Sequence, residues 1–357
     1  MRAAVLHGPQ EIVVEDIPDP VCGAGDIVIR VEATGICGSD LHAYAGMFRS
    51  AGQVLGHEFA GPVVEVGKAV EGIAVGDRVT GSPAVDCERC PRCREGNPLL
   101  CQNQAGNVIG NGLPGSFAEY LRIPSARLGR SVFMLPEGIG WEAGATAEPL
   151  GVGLRVAHHA RVRPTETVVV LGLGPIGLCA VQGLVASGAG RVIGVDTQRA
   201  RLELGEQYGA TVFDASRGGT VERMEELTGP GAMSYGGGAV GANADVVCEC
   251  TGIPEVLGEA LTIVRRGGRL VIVALYERRA EIDVNQIVIK ELEVHGSFGY
   301  GGGAWTGFTE ALDLLAAGKV DTHSLISHRF ALEDAAEAFR VQAARGQAVK
   351  VMFTREG

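Results

Sequence analysis

The chain has 357 residues, of which 46% are hydrophobic and 20% charged, a composition typical of a globular protein of about two domains. Its formal net charge of −11 argues against a nucleic-acid partner, because binding a phosphate backbone requires a basic face. The N-terminal segment contains no apolar stretch of the signal-peptide kind and the cysteines number nine, so we expect reduced thiols or metal ligands and a cytoplasmic location.

The first 150 residues are predicted to form short strands separated by Gly and Pro turns. Three motifs in this region contain side chains that bind metals: GICGSDLH, GHEFAG and AEPLG. Thiolate, imidazole and carboxylate together form a ligand set that zinc accepts, and three protein ligands leave a fourth position open for water or substrate. We therefore predict a catalytic metal site. Its candidate residues are Cys37, Ser39, Asp40, His42, His57, Glu58 and Glu148.

A second metal pattern is the segment CERCPRCREGNPLLC. Its four thiols belong to Cys87, Cys90, Cys93 and Cys101. Four thiolates at such short spacings are typical of closed, tetrahedral, structural zinc sites. An iron–sulfur cluster and four unligated thiols are the alternatives. We predict a structural zinc ion here, in addition to the catalytic one.

The segment VLGLGPIGLCAVQGLVASGAG, residues 170–190, carries no charge and is nearly long enough to cross a membrane. Its glycines favour a different interpretation. GLGPIG has the spacing G-x-G-x-x-G, follows a strand predicted over 168–171 and precedes a helix predicted over 175–187, which is the setting of a dinucleotide pyrophosphate loop. The predicted cofactor-binding residues of this loop are Gly172, Gly174, Pro175, Ile176 and Gly177. We therefore predict no membrane partner.

A second strand, predicted over 191–195, leads into Asp196, which lies about 20 residues after the glycine loop. A carboxylate at this position binds both hydroxyls of the adenosine ribose and repels a 2′-phosphate. NAD is therefore favoured over NADP, although Arg199 and Arg201 lie near enough in sequence to soften the preference.

From residue 165 onward the predicted strands and helices alternate, which indicates parallel βαβ units and an α/β fold with a doubly wound parallel sheet. The glycine-rich segment 229–244 interrupts this alternation and is predicted to be an exposed loop. Further predicted strands cover 245–250, 269–274 and 348–353, and further predicted helices cover 199–208, 255–264, 308–317 and 332–345.

Taken in order along the chain, GICGSDLH, LGHEFAGPVVEVG, the four-cysteine segment, EPLGVGL, GLGPIG and GVD resemble the zinc-dependent medium-chain alcohol dehydrogenases. The resemblance covers the whole chain. It implies a GroES-like, mainly-β catalytic domain over residues 1–150, a Rossmann dinucleotide-binding domain over 151–295 and a return to the catalytic domain over 296–357. It also implies a homo-oligomer, either a tetramer or a dimer.

The resemblance further implies how the catalytic metal is held. Cys37 and His57 would bind zinc directly, and the third ligand would be Glu58 or Glu148. In relatives that carry a glutamate at the EPL position, the residue matching Glu58 often binds directly, while the one matching Glu148 binds through water or exchanges with it. Asp40 would orient the imidazole of His57.

The reaction implied is hydride transfer between a secondary alcohol and NAD, with the alcohol hydroxyl acidified by zinc. In the family the proton leaves through a Ser or Thr, the ribose hydroxyls and a histidine. Ser39 and His42 match the two protein positions of this relay, and histidine is a usual proton carrier near neutral pH.

The substrate is less closely defined by the sequence. Sorbitol-type relatives carry an Arg before the Tyr of a G-x-F-R-Y segment, whereas this chain reads GSFGY with Gly299 in that place. A vicinal diol, a cyclitol or another small secondary alcohol is therefore favoured over sorbitol, with Tyr44, Phe48 and Phe298 as candidate pocket residues. The alternatives are an L-threonine 3-dehydrogenase-like enzyme, a zinc-free quinone or enoyl reductase, and a non-catalytic zinc- and nucleotide-binding protein.

Overall fold

The computed structural model describes residues 1–47, 51–104, 106–231, 241–301, 306–344, 346 and 348–355. The chain forms two compact units, Met1–Gly151 with Tyr300–Gly357, and Val152–Gly299. The sequence places the second domain boundary at 295/296, while the second unit extends to Gly299. Gly296 stays with the second unit because it pairs with Ile272 at the edge of that unit's sheet.

Strands and helices are distributed along the whole chain. The strands are β1 (Arg2–Gly8), β2 (Glu11–Asp16), β3 (Ile27–Arg30), β4 (Ala33–Gly35), β5 (Gln53–Val54), β6 (Glu58–Val66), β7 (Arg78–Gly81), β8 (Val108–Ile109), β9 (Gly112–Leu113), β10 (Tyr120–Ile123), β11 (Val132–Met134), β12 (Thr167–Leu171), β13 (Arg191–Asp196), β14 (Thr211–Asp214), β15 (Ala244–Glu249), β16 (Val264–Ile272), β17 (Glu293–Gly296), β18 (Ile326–Phe330) and β19 (Lys350–Thr354). The helices are α1 (Gly38–Tyr44), α2 (Pro91–Arg94), α3 (Trp141–Ala145), α4 (Ala147–Ala160), α5 (Pro175–Ala186), α6 (Arg199–Gln207), α7 (Thr220–Thr228), α8 (Pro254–Ile263), α9 (Val284–Ile289), α10 (Thr306–Ala316) and α11 (Ala335–Ala343).

The first unit consists mainly of antiparallel strands. Its largest sheet has the order β10-β3-β6-β4-β19-β18, with β7 pairing with both β6 and β11. In one core cluster the ring of Phe117 packs edge-on against Phe339 at 5.7 Å and against Phe353 at 5.1 Å, measured between ring centroids. Each such pair contributes about 1 kcal/mol beyond the apolar area that it buries. Phe353 lies in the last strand, β19, which pairs antiparallel with β4 from the first part of the chain.

The second unit contains a six-stranded sheet in the order β14-β13-β12-β15-β16-β17, in which all neighbouring strands run parallel. This confirms the predicted doubly wound α/β fold. The core of the sheet is buried on both faces, as the fully buried run Val168–Val170 shows. A strand covered by helices on both sides must be apolar throughout, which explains its uninterrupted β-branched sequence.

The uncharged segment around the glycine loop divides between β12 and α5. The helix α5 has 12 residues, so it is about 18 Å long, well short of a bilayer core of about 30 Å. None of the helices in the described part of the chain combines the length and apolar character needed to span a membrane.

Several element boundaries differ from the predicted ones. The helix predicted over 332–345 begins as a 3₁₀ turn at Leu332–Asp334 and ends at Ala343. The strand predicted over 269–274 begins earlier, because Val264 already pairs with Ala244 before a register shift. Residues 232–240 of the predicted exposed loop lie outside the described residues, and Ala242 after them is buried in the core of the second unit.

Candidate metal centres and nucleotide site

Three of the candidate metal ligands meet in the first unit. One ligand atom each from Cys37, His57 and Glu58 lies within 4.8 Å of the other two. Cys37 follows β4, and Glu58 is the first residue of β6. These strands pair antiparallel with Gly35 opposite Glu58, so the sheet brings the two sequence motifs together. Thiol, imidazole and carboxylate groups at this spacing fit a zinc ion.

Asp40 lies beside the Nδ1 atom of His57. Its carboxylate is fully buried, and its Oδ1 lies 3.7 Å from His57 Nδ1. The Cys37 N–H donates to Oδ2 at 2.9 Å and the Gly56 N–H to Oδ1 at 3.3 Å, so one carboxylate fixes the backbone next to both ligands. Because Nδ1 faces Asp40, Nε2 is the ring nitrogen left to bind a metal.

The charges of this pair stabilise each other. Burial raises the pKa of Asp40, but His57 and the two backbone donors outweigh that effect and hold it below its usual range. Burial likewise lowers the pKa of His57, while Asp40 and Cys37 together hold it well above its usual value. These shifts describe the cluster without a metal; a zinc ion binding at His57 would displace the proton from Nε2.

Lys350 is part of this cluster and was missed by the sequence analysis. It lies in β19, is 2% exposed, forms an ion pair with Glu58 and donates from Nζ to the Ile36 carbonyl at 3.0 Å. Burial opposes its charge, but Glu58 and Cys37 keep its pKa above the usual value. The available signal was a lysine inside the apolar strand sequence AVKVMF, since a buried ammonium group needs a partner.

Glu148 lies in the first turn of α4 and is 7% exposed. Among the described residues, the compact ligand group contains Glu58 and does not contain Glu148. Burial raises the pKa of Glu148 to about 7; His57 acts against this rise, and Glu58 adds to it. Glu148 is thus close enough to the cluster to interact with it electrostatically.

The two candidate proton carriers share one short helix. Ser39 and His42 are three positions apart on α1, which places them on one face of the helix, and both are half-buried. The candidate pocket residues have separate surroundings: Tyr44 packs against a core cluster of the first unit, and Phe298 is 54% exposed. Phe48 lies outside the described residues.

The four thiols of the second metal pattern also converge. Sγ atoms of Cys87, Cys90, Cys93 and Cys101 all lie within 4.8 Å of one another. The sulfur of Cys101 accepts the N–H groups of Cys87 and Asn103, each at 3.4 Å. A backbone N–H two residues later lowers the pKa of Cys87 to about 6. Backbone donors of this kind stabilise thiolates, so the cluster fits a tetrahedral zinc ion.

Ion pairs fix this four-cysteine cluster to the rest of the first unit. Asp86 pairs with Arg130 and Glu88 with Arg127, each at 2.5 Å. The carboxylates flank Cys87, and the arginines lie between β10 and β11. The metal-binding segment is therefore attached, beside its first candidate ligand, to the loop that connects β10 with β11.

The glycine loop has the geometry of a phosphate-binding turn. Gly172 has a φ of +90°, which favours glycine, and a Cβ on Gly177 would collide with the carbonyl of Gly172. A Cβ on Gly174 would meet nothing within 4 Å, so the protein's own packing does not require glycine there, whereas a ligand approaching the backbone would. Gly174 also caps α5, whose first N–H groups have no intrahelical acceptor.

Asp196 connects the end of β13 to this loop. Its Oδ2 accepts the Leu173 N–H at 2.7 Å, and its Oδ1 accepts the N–H groups of Thr197 at 2.7 Å and Gln198 at 2.8 Å. Arg201 Nη1 lies 3.8 Å from Oδ2. A carboxylate offers about four acceptor positions, so a ribose hydroxyl can still be bound.

Comparison with known proteins identifies the family. Residues 23–136 match the alcohol dehydrogenase GroES-like domain, and residues 175–317 match the zinc-binding dehydrogenase domain. The sorbitol dehydrogenase of Bacillus subtilis is 33% identical over 360 residues, which cover 99% of this chain and 96% of that protein. This chain belongs to the zinc-dependent medium-chain alcohol dehydrogenase family.

Solved structures of other alcohol dehydrogenase family members match over the full length. The crystal structure of 2R,3R-butanediol dehydrogenase from Bacillus subtilis has a TM-score of 0.84 at 32% identity and 99% coverage of both chains. A zinc-binding dehydrogenase from Sinorhizobium meliloti 1021, bound to NADP, has a TM-score of 0.84 at 35% identity, with coverage of 99% of this chain and 98% of that one.

Membership in the alcohol dehydrogenase family confirms the predicted GroES-like and Rossmann folds and the predicted enzyme class. The chain is a zinc-dependent oxidoreductase that uses a nicotinamide cofactor. This finding sets aside the non-catalytic zinc- and nucleotide-binding alternative.

The tyrosine of the GSFGY segment is buried and hydrogen-bonded within the first unit of this alcohol dehydrogenase. Tyr300 is 3% exposed, its hydroxyl lies 2.7 Å from Ser82 Oγ, and the Ala84 N–H donates to it at 3.3 Å. Burial and the nearby Glu148 raise its pKa, so it stays neutral. Tyr300, at the point where the chain re-enters the first unit, is therefore hydrogen-bonded to the residues that follow β7.

Proposed function

We propose that this alcohol dehydrogenase oxidises a secondary alcohol of the diol, polyol or cyclitol type with NAD as the acceptor. The observation that carries the proposal is the convergence of Cys37, His57 and Glu58 within 4.8 Å. The substrate class is supported by the names of two relatives, a sorbitol dehydrogenase and a 2R,3R-butanediol dehydrogenase. Gly299 stands where sorbitol-type sequences carry Arg, which favours a smaller diol over sorbitol.

The first step, acidification of the alcohol hydroxyl, would take place at the cluster of Cys37, His57 and Glu58. A zinc ion held by Cys37, His57 and Glu58 would act as a Lewis acid that lowers the pKa of the alcohol hydroxyl. Asp40 keeps the His57 ring in one orientation through its contact with Nδ1. Lys350 fixes the Glu58 carboxylate by a buried ion pair and lowers the net negative charge of the cluster. Three protein ligands leave room for the substrate oxygen.

We propose that Glu58 is the third direct zinc ligand. Glu148 would contact the metal through a water molecule, or would replace Glu58 as the ligand in exchange. The support is the grouping of Glu58, and not Glu148, with the two other ligands. Glu148 nevertheless interacts electrostatically with His57 and Glu58, as an exchanging partner would.

The proton released from the alcohol is passed on by Ser39 and His42. Both lie on one face of α1, which begins directly after the ligand Cys37. A hydroxyl can accept and donate a proton at the same time, and an imidazole can deliver it to solvent. This arrangement supports the relay that the family resemblance implies.

The second zinc ion would be structural. The four thiols of Cys87, Cys90, Cys93 and Cys101 form a closed set with no place for substrate, and ion pairs at Asp86 and Glu88 hold the segment in place. We therefore propose two zinc ions per chain, one in each cluster.

The cofactor choice is proposed to be NAD because of Asp196. Its buried carboxylate lies at the end of β13, where the ribose of a dinucleotide binds, and a 2′-phosphate would be repelled there. Family members differ in this choice, since one solved relative is bound to NADP. Arg201 is already 3.8 Å from Asp196 and would be free to bind a phosphate if the carboxylate were absent.

Asp196→Ser should therefore shift the cofactor preference toward NADP. We expect the ratio of kcat/KM for NAD to that for NADP to fall by about 100-fold, because a like-charge contact of a few kcal/mol is removed. Steady-state kinetics with both cofactors measure the ratio. The matched control is Glu206→Ser, which removes an exposed carboxylate from α6 and should leave the ratio unchanged. An unchanged ratio in Asp196→Ser would contradict this role.

The activity itself is tested with a panel of alcohols and purified, zinc-replete protein. We expect NAD reduction with vicinal diols and other secondary alcohols, loss of activity after treatment with a strong zinc chelator, and recovery on adding Zn²⁺. L-Threonine in the panel tests the amino-alcohol alternative. Absence of NAD and NADP reduction with every alcohol would contradict the proposed function.

We also propose that the enzyme is a cytoplasmic homo-oligomer, a dimer or a tetramer. All nine cysteines are free thiols, which fits a reducing compartment. The second unit ends in the edge strand β17, whose outer side pairs with no strand in the described part of the chain. Exposed apolar side chains accompany this edge, and a second copy of the chain would cover them. They are Val284, Val288, Ile289 and Val294.

A further inference from the structure

A buried carboxylate lies at the carboxyl end of β15, beside the glycine loop. Glu249 is 0% exposed, and its partner across the sheet is Leu171, the last residue of β12. The strand order reverses between β12 and β15, because the chain continues to β13 on one side and to β16 on the other. Dinucleotides bind across such a switch point. Glu249 has no part in the reaction proposed for the zinc cluster.

The carboxylate of Glu249 organises the turn that follows it. Oε1 accepts the N–H of Thr251 at 2.7 Å, the N–H of Gly252 at 3.3 Å and the Thr251 hydroxyl. Oε2 accepts the Tyr276 hydroxyl at 2.5 Å. A buried charge is tolerated where several donors satisfy it, and these four donors do so. The carboxylate therefore determines the conformation of the backbone at Thr251 and Gly252.

This turn is in direct contact with the glycine loop. An ideal Cβ placed on Gly172 would lie only 2.7 Å from Thr251 Cγ2, so the threonine methyl packs against the glycine backbone. The Cys250 N–H donates to the Leu171 carbonyl at 2.8 Å, immediately before Gly172. A backbone hydrogen bond and a methyl contact thus connect the two segments.

We propose that Glu249 is a positioning residue for the cofactor. By holding Thr251 against Gly172, it fixes the pyrophosphate-binding loop in its binding conformation before the dinucleotide arrives. A loop that is already ordered loses less conformational freedom on binding, so the affinity is higher. This inference rests on the proposed dinucleotide site and adds to it a residue outside the glycine loop.

The test is NADH binding to the full-length protein, measured by fluorescence titration together with NAD kinetics. Glu249→Ala removes the acceptor of the turn and should weaken NADH binding at least about 10-fold, with a matching rise in the KM for NAD and a kcat within about twofold of wild type. Glu249→Gln keeps an oxygen for the turn, and its amide can donate to Tyr276. This variant should recover most of the affinity, because the acceptor oxygen of the turn is retained.

Thr251→Ser separates the two contacts of the threonine. It keeps the hydroxyl that bonds Glu249 and loses the methyl that touches Gly172, so NADH binding should weaken about 3- to 5-fold. The control is Glu255→Gln, which removes an exposed carboxylate from α8 in the same unit and should bind NADH as wild type does.

Wild-type affinity in both Glu249→Ala and Thr251→Ser would overturn the inference. If thermal melting shows that Glu249→Ala does not fold, the NADH affinity of Thr251→Ser alone tests the inference. Failure of the wild-type protein to bind either NADH or NADPH would refute the proposed function itself, and measuring wild type first keeps the two failures apart.

Discussion

Cys37→Ser is expected to lower kcat for alcohol oxidation by about 10³-fold or more while leaving NADH affinity unchanged. A serine hydroxyl is a poor zinc ligand, and the Lewis acid contributes several kcal/mol to lowering the barrier. His57 and Glu58 would remain in place, but two protein ligands hold zinc weakly. Steady-state kinetics measure kcat, NADH titration measures the cofactor affinity, and elemental analysis measures the zinc content. We expect one zinc ion fewer per chain.

The matched control for this substitution is Cys22→Ser. Cys22 lies in the same unit, outside both groups of metal ligands, and its thiol donates to the Asp26 carbonyl at 3.3 Å. Its replacement should leave zinc content and kcat as in wild type. Full turnover by Cys37→Ser, or a wild-type enzyme that is active with zinc in the four-cysteine cluster alone, would disprove the catalytic site.

Cys93→Ser is expected to affect stability far more than intrinsic rate. The four-thiol cluster is closed, so its zinc would contribute folding free energy and not chemistry. Loss of a few kcal/mol should lower the melting temperature by about 10 °C. Calorimetry measures the melting temperature, and kcat per mole of the remaining catalytic zinc should stay within about threefold of wild type.

Cys22→Ser serves again as the thiol control and should melt close to wild type. A Cys93→Ser protein with an unchanged melting temperature would show that the cluster is not a structural zinc site. A large fall in intrinsic kcat at full stability would instead give the cluster a role in the reaction.

The ion pair between Glu58 and Lys350 connects the catalytic cluster to the last strand of the chain. Both side chains are almost completely buried, and removing one partner would leave an uncompensated charge, a change that costs about 3–5 kcal/mol in proteins. The arrangement of the candidate metal site therefore depends on the pairing of β19 with β4, which in turn pairs with β6. Strand β19 thus supports the candidate metal site through Lys350 without supplying a candidate ligand.

The parts of this protein that the sequence predicted well are local. The strand β12, the glycine loop and α5 follow one another within 20 residues, and each has its own pattern: a β-branched run, a G-x-G-x-x-G spacing and a helix of small apolar residues. The four cysteines are equally local, since their spacing alone brings them within reach of one another. Family resemblance extended the prediction to the dispersed candidate ligands Cys37 and His57.

The parts that required the tertiary structure are contacts between distant segments. Lys350 reaches Glu58 only because β19 pairs with β4. The sequence around either residue does not indicate which residue is its partner. Glu249 reaches the glycine loop only because β15 lies beside β12 in the sheet. The amino-acid sequence was enough to predict the fold class, the four-cysteine cluster and the nucleotide loop, because short-range spacing sets the geometry of these features. Only the folded structure groups Glu58 with Cys37 and His57 and shows that Lys350 is buried beside them, because strand pairing brings together segments that are distant in sequence.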